Sequence, residues 1–227
     1  YTKAKIDKEK YGLKPVYDGQ LLIKVLNLSV WSMLHAFISV VPWFLFFVAI
    51  EHLGKTELAI SNITRSVSAI FFVIANSFAV TTGSLVSNAI GARARNELFP
   101  ICHKVLKLGY AVGIPFVVVA LLCNRWIVSF YTDNELLIEL AFAPFVVMLL
   151  NYTFALPGYV YLNAVGGTGK TKITFLFQVT TTCVYLVYLY WLSFCIKASL
   201  SLYLTAEYLF VILLALQSII HLKSKHY

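Results

Sequence analysis

The stretch VLKLGYAVGIPFVVVALL, Val105 to Leu122, ends in seven unbroken apolar residues from Phe116 and carries a single charge, Lys107, near its start. A strand of a membrane barrel alternates polar and apolar side chains, because one face meets lipid and the other the lumen, and this run does not alternate. At about 1.5 Å of rise per residue its length covers most of a hydrocarbon core roughly 30 Å thick, so it reads as a membrane-spanning helix. Five further stretches of the same kind flank it: Val25 to Ile50, Ser66 to Ile90, Leu136 to Leu162, Ile173 to Ile196 and Leu200 to Leu222. The first and fourth exceed the length a span requires and contain Pro42 and Pro157, which predicts a tilt or a kink. The expected fold is an all-α membrane protein of six transmembrane helices.

Composition agrees. The chain is 60% hydrophobic and 12% charged with a mean hydropathy of +0.81, against roughly 45–50% and 25% for an ordinary soluble domain. So little polar surface excludes both a soluble globule and a disordered chain. Four cysteines, Cys102, Cys123, Cys183 and Cys195, stand apart in apolar surroundings with no C-x-x-C pair, and are expected to be small membrane hydrophobes rather than zinc ligands or disulfides.

The net charge of +8 is topological. Fourteen Lys and Arg fall on one side of the expected spans: Lys3, Lys5, Lys8, Lys10, Lys14, Lys24, Arg93, Arg95, Lys104, Lys107, Lys170, Lys172, Lys223 and Lys225. Four fall on the other: Lys55, Arg65, Arg125 and Lys197. This bias places both termini in the cytoplasm and removes any need for a nucleic-acid partner. Residues 1–20 are polar and lysine-rich without the apolar core of a signal peptide, and with Tyr1 in first place the chain is expected to be a piece of a longer one.

A polar side chain in lipid needs a partner helix or a wet cavity, so polar stripes are the strongest functional signal. Ser32, His35 and Ser39 share a face of the first helix, and Ser77, Thr81, Ser84 and Asn88 one of the second. Tyr152, Tyr159 and Asn163 do so on the fourth, with Asn151 beside them, and Gln178, Thr182 and Tyr185 on the fifth. Four such faces can enclose a cavity of hydroxyls, amides and aromatic rings, or can hydrogen-bond between helices with no cavity. Among ionisable groups, His35 lies well within a span, and imidazole ordinarily exchanges protons near neutral pH. Glu207, about two turns into the sixth helix, can carry a proton or sit near the outer interface; Glu139 stays near water; Arg65, at the outer edge of its span, is expected to snorkel. Gly109 and Gly113, and Ala75, Ala79 and Gly83, have the spacings that let helices pack closely in lipid.

One motif suggests nucleotide. AVGGTGKT, Ala164 to Thr171, satisfies a loose P-loop pattern, but such a loop works where a strand delivers the glycines to a helix start, and here a membrane helix precedes them. A cytoplasmic turn is the expected reading, with no ATP, no cofactor, and no motif for covalent catalysis or metal binding.

Three stretches carry a family resemblance: FVAIEHLGKTELAISNI (Phe47 to Ile63), read as the loop between the first two helices; SLVSNAIGARARNE (Ser84 to Glu97), a helix-end glycine and basic loop; and YLNAVGGTGKT (Tyr161 to Thr171), a glycine-rich loop. Together they resemble the second six-helix lobe of the multidrug and toxic compound extrusion (MATE) transporters, from about Leu21 to Leu222. The resemblance implies one lobe of a two-lobe transporter in the plasma (inner) membrane, with residues 1–20 as a cytoplasmic linker from a missing N-terminal lobe, 21–222 as the lobe and 223–227 as a cytoplasmic tail. It implies export of small organic cations or drugs in exchange for protons or sodium ions, with a lipid-linked oligosaccharide flippase of the same superfamily as the alternative. Members with a cation site in this lobe carry a glutamate and an aspartate at positions falling near Ser39 and at about Ala155. Neither is acidic here, so coupling would rest on acids of the missing lobe or on polar substitutes such as His35 and Asn151. The expected substrate and ion pathway comprises Ser32, His35, Ser39, Ser77, Thr81, Asn151, Tyr152, Tyr159, Asn163, Gln178, Tyr185 and Glu207.

Overall fold

A computed structural model describes residues 18–196 and 198–224. Lys197, most of the expected linker with its five lysines, and the tail from Lys225 onward lie outside the described residues. Among those described, six helical segments are long and apolar enough to span a membrane, as expected.

The first, α1 (Gly19–Glu51), opens under Asp18, whose carboxylate accepts from the amides of Gln20 and Leu21 at 2.9 and 3.1 Å and so satisfies two donors with no partner inside the helix. It runs unbroken through Pro42. Only His52 to Gly54 separate it from α2 (Lys55–Gly91), and Gly54 adopts φ +137°, which side-chain-bearing residues avoid. The stretch expected as a loop, Phe47 to Ile63, is therefore almost wholly helical. Gly54 is its one breaker, Glu57 complements the start of α2, and Ile60 and Ile63 are buried from the first turns onward. The second helix accordingly begins at Lys55 rather than at Ser66, which carries Arg65 into the bundle.

At the other end of α2, Arg93 takes the left-handed conformation (φ 58°), and the Ala94 amide returns to the Ala89 carbonyl at 2.8 Å. That closes the helix as a glycine usually would. A 3-10 turn (Arg95–Glu97) leads into α3 (Leu98–Leu122), and a short α4 (Asn124–Ser129), absent from the sequence expectation, bridges to the fourth span.

That span is two helices. Asn134 caps α5 (Glu135–Leu150), and the chain breaks at Asn151 before α6 (Tyr152–Gly167). Pro157 has no amide to offer the carbonyl of Thr153 four residues back, and the Tyr110 hydroxyl of α3 donates to that carbonyl at 2.7 Å instead. The expected kink thus falls six residues before the proline. After a turn at Thr168–Lys170, with Gly169 at φ +82°, come α7 (Thr171–Trp191), a π-helical turn (Leu192–Ile196) and α8 (Leu200–Ser224).

The core centres on α6, which packs against α2, α3, α7 and α8. Small residues permit this. A Cβ on Gly113 of α3 would enter the ring of Tyr152, whose hydroxyl donates to the Gly109 carbonyl at 2.8 Å, and one on Gly158 would lie 2.7 Å from the backbone oxygen of Val211 on α8. Ala75 and Ala79 of α2 are buried, as their spacing predicts for a close-packing face. By contrast α1 buries only Pro42, Phe46 and Ile50, and its main contact is with α7. Cys102 is buried while Cys123 and Cys183 face outward, all three free thiols.

Candidate functional site

Two polar features lie between these helices. The larger is a cavity of about 580 Å³ bounded by α1, α2, α6 and α7 near the Gly91 and Gly167 ends of the bundle. Ser32 and His35 enter it from α1, Ser84, Ser87 and Asn88 from α2, Asn163 from α6, and Thr171 and Thr174 from α7. Its floor is held by hydrogen bonds of the helices themselves: Ser87 donates to the Gly167 carbonyl at 2.8 Å, and Asn163 to the Tyr159 carbonyl at 3.0 Å. His35 stands beside Gln178 with its Nε2 buried and unpartnered, a polar atom without the hydrogen bond that burial ordinarily demands. Among the described residues, no lysine or arginine lines this cavity.

The second feature is an ion pair. Arg65 of α2, only 3% exposed, places Nη2 2.5 Å from a carboxylate oxygen of Glu207 on α8, and the Tyr185 hydroxyl of α7 donates to that same oxygen at 3.3 Å. Trp43 and Phe46 of α1 hold the guanidinium from their ring faces, with its carbon 4.2 and 4.0 Å from the ring centres and Phe47 at 5.2 Å. Nε and Nη1 of Arg65 have no hydrogen-bond acceptor. Beside the pair lies a small void of about 50 Å³, lined among others by Trp43, Ser68, Asn151, Tyr159 and Glu207, with the Asn151 side-chain oxygen buried and unpartnered.

Arg65 therefore does not snorkel; it turns into the bundle and pairs with Glu207. Each neutralises the other inside the bundle, where the start of α2 at Lys55 places Arg65 nearly three turns deep.

The remaining expected site residues divide between these features and the helices' own backbones. Asn151 and Tyr159 line the small void together with Ala155, the position where the resemblance would have put an acid. Tyr152 lines it too, but its hydroxyl is committed to Gly109. Ser39 returns its hydroxyl to Ala36, and Ser77 and Thr81 theirs to Val73 and Ser77, the latter two on an exposed face of α2. The P-loop-like run Ala164 to Thr171 is the end of α6, its turn and the start of α7.

With this geometry in place, the model of the MatE family matches residues 32–192. The chain belongs to the MatE family. No curated protein matches it. Solved structures similar to it include MATE in the bent conformation (17% identity, TM-score 0.76, covering 87% of this chain and 44% of that one). Another is the inward-facing conformation of a multidrug resistance MATE family transporter (18%, 0.73, 83% and 43%). A third is a MOP superfamily transporter from Pyrococcus furiosus, whose binding pocket is described as reversed in polarity and suggestive of a different function (17%, 0.72, 86% and 43%). The chain spans under half the length of each, so the MatE fold described above is half of such a transporter.

Sequence reasoning missed Ser87, Thr171 and Thr174 of this MatE lobe's cavity, which fall outside the stripes of regular helical spacing, and it misplaced Arg65. For Arg65 the signal was present in the aromatic face of α1, since Trp43, Phe46 and Phe47 recur at helical spacing where a cation can rest on them.

Proposed function

We propose that this MatE chain is one lobe of a two-lobe secondary antiporter that exports small organic cations across the plasma membrane in exchange for inward-moving protons or sodium ions. The 580 Å³ polar cavity carries the reading. Its volume lies in the range of pockets that enclose drug-sized molecules, about 300–1,000 Å³. Hydroxyls, amides and one imidazole line it, and the lack of lysine or arginine among the described lining residues favours a cationic cargo over the pyrophosphate of a lipid-linked saccharide. Lys24 of α1, Arg93 and Arg95 after α2, and Lys170 and Lys172 between α6 and α7 stand at the end of the bundle where this cavity lies, and this excess supports an orientation with that end in the cytoplasm. The cargo enters there and leaves on the opposite side when the two lobes rock against one another.

The test is transport by the complete two-lobe protein in proteoliposomes under an imposed proton or sodium gradient, with ethidium as cargo. The reading expects gradient-driven ethidium movement, reduced by His35→Ala without loss of membrane insertion when the gradient is one of pH. Ethidium fluxes equal to those of empty liposomes under both gradients would refute it.

A further inference from the structure

We propose that the crevice between α1 and α7 at the Lys170 end of the bundle binds the phosphate headgroup of an anionic phospholipid, and that the bound lipid fastens α1 to the rest of the lobe. The site stands on its own geometry; its leaflet and its effect on cargo rest on the antiport reading above.

The crevice, about 360 Å³, meets the polar cavity at the seam between α1 and α7. Thr171 lines both, while the consecutive residues Trp31 and Ser32 turn one to each. Asn27, Leu28 and Trp31 line the crevice from α1, Lys170 from the turn before α7, and Lys172 and Ile173 from α7 itself. The Lys172 ammonium rests over the Trp31 ring, 5.2 Å from its centre. Phe175, one turn further along α7, packs against the same ring with 5.5 Å between centres. Lys24 precedes Asn27 by one turn on the same face of α1. Among the described residues, no aspartate or glutamate lines the crevice.

These residues form two halves suited to one molecule. The lysine ammoniums and the Asn27 amide are donors for phosphate oxygens. Leu28, Ile173 and the indole suit the glycerol and the first carbons of an acyl chain, which a free anion would leave unused. Lipid chains adjoin the crevice, since Ile23, Leu26 and Val30 of α1 are exposed on a membrane span. Basic pockets between membrane helices take anionic headgroups by this chemistry, and tryptophan settles at headgroup level.

The consequence follows from how α1 is held. It buries only three residues and meets the bundle mainly along α7. A phosphate that accepts from Asn27 on one side and from Lys170 and Lys172 on the other joins the two helices where Ser32, Thr171 and Thr174 wall the cavity. A wall already fixed costs less to order when cargo arrives, so the lipid raises cargo affinity. By reciprocity, cargo tightens the lipid.

The test uses the complete two-lobe protein, extracted from bilayers of phosphatidylcholine and phosphatidylglycerol in equal parts and analysed by native mass spectrometry. Phosphatidylglycerol is expected to be retained over phosphatidylcholine, and K170Q/K172Q to lower that ratio at least about tenfold through loss of two lysines at the headgroup. K104Q/K107Q removes the same charge from exposed positions of α3 and is expected to keep the wild-type ratio. Equal retention of both lipids by the wild type, or equal losses in the two variants, overturns the proposal. With no preference for phosphatidylglycerol, binding of glycerol 1-phosphate that K170Q/K172Q removes would assign the crevice to a soluble phosphate ester and overturn the lipid. In nanodiscs, the ratio of ethidium affinity with phosphatidylglycerol to that in phosphatidylcholine alone is expected to fall in K170Q/K172Q and not in K104Q/K107Q. A ratio unchanged in K170Q/K172Q overturns the fastening of α1. The expected lipid retention in a protein that binds no ethidium would refute the cargo class while supporting the lipid site.

Discussion

Helices α1 and α6 are both apolar enough for a membrane, yet they occupy opposite situations. Of the 33 residues of α1 three are buried, and of the 16 of α6 nine. In water such a contrast would follow hydrophobicity. In lipid it cannot, because acyl chains receive leucine as readily as a protein core does, and helices associate where shapes let them approach. The sequence of α6 is rich in small residues, Ala155, Gly158, Ala164, Gly166 and Gly167, whereas α1 presents Met33, Phe37, Val40 and Phe44 to its surroundings. Steric fit places α6 at the centre of the lobe's packing, while α1 meets the bundle mainly along α7 and through the rings that seat Arg65.

The contrast is broken most forcefully at Gly158. Gly158→Leu forces a side chain against the backbone of Val211, which has no rotamer to yield, and is expected to cost at least about 3 kcal/mol, read as lost resistance to chemical unfolding in mixed micelles. Arg65→Ala empties the seat that Trp43 and Phe46 of α1 provide. Leaving Glu207 without its partner is expected to cost about 3 kcal/mol, and adding Glu207→Leu to Arg65→Met should recover most of it. Tyr152→Phe keeps the ring in the Gly113 seat and removes only the bond to the Gly109 carbonyl, for about 1 kcal/mol in the same assay. Phe37→Ala, on the exposed face of α1 at 73% exposure, should change stability by less than about 0.5 kcal/mol. A loss at Phe37 as large as that at Gly158 would erase the distinction between the two helices.

Much of this architecture was legible in the residues. Apolar length alone located the six spans, because a bilayer sets one thickness for all of them. The P-loop-like run was legible as a turn because a membrane helix, not a strand, leads into it. The break at Asn151 was not, since a proline reveals that a carbonyl is freed but not whether a residue such as Tyr110 will arrive to satisfy it. Arg65 was misplaced for a related reason. Hydropathy is averaged along the chain and ends a span at the first charge, whereas whether a charge is tolerated depends on partners in other helices, here Glu207 from 142 positions away and the rings of α1. The polar stripes were only half informative. Helical spacing grouped Ser77 and Thr81 with Ser84 and Asn88, but the cavity takes only the latter two, because it reaches α2 only between Val80 and Asn88 while Ser77 and Thr81 stay on an exposed face.

The claim on which the functional account depends is that the cavity between α1, α2, α6 and α7 is wet and receives the cargo. It is tested most directly by Ser84→Cys in the complete protein with its native cysteines replaced, treated with a membrane-impermeant thiol reagent on membrane vesicles of either orientation. The account predicts labelling from the cytoplasmic side that ethidium slows, while a cysteine placed at buried Ala79, earlier on α2, stays unlabelled. A Ser84→Cys protein that resists labelling from both sides, or one labelled at the same rate with and without ethidium, would contradict it.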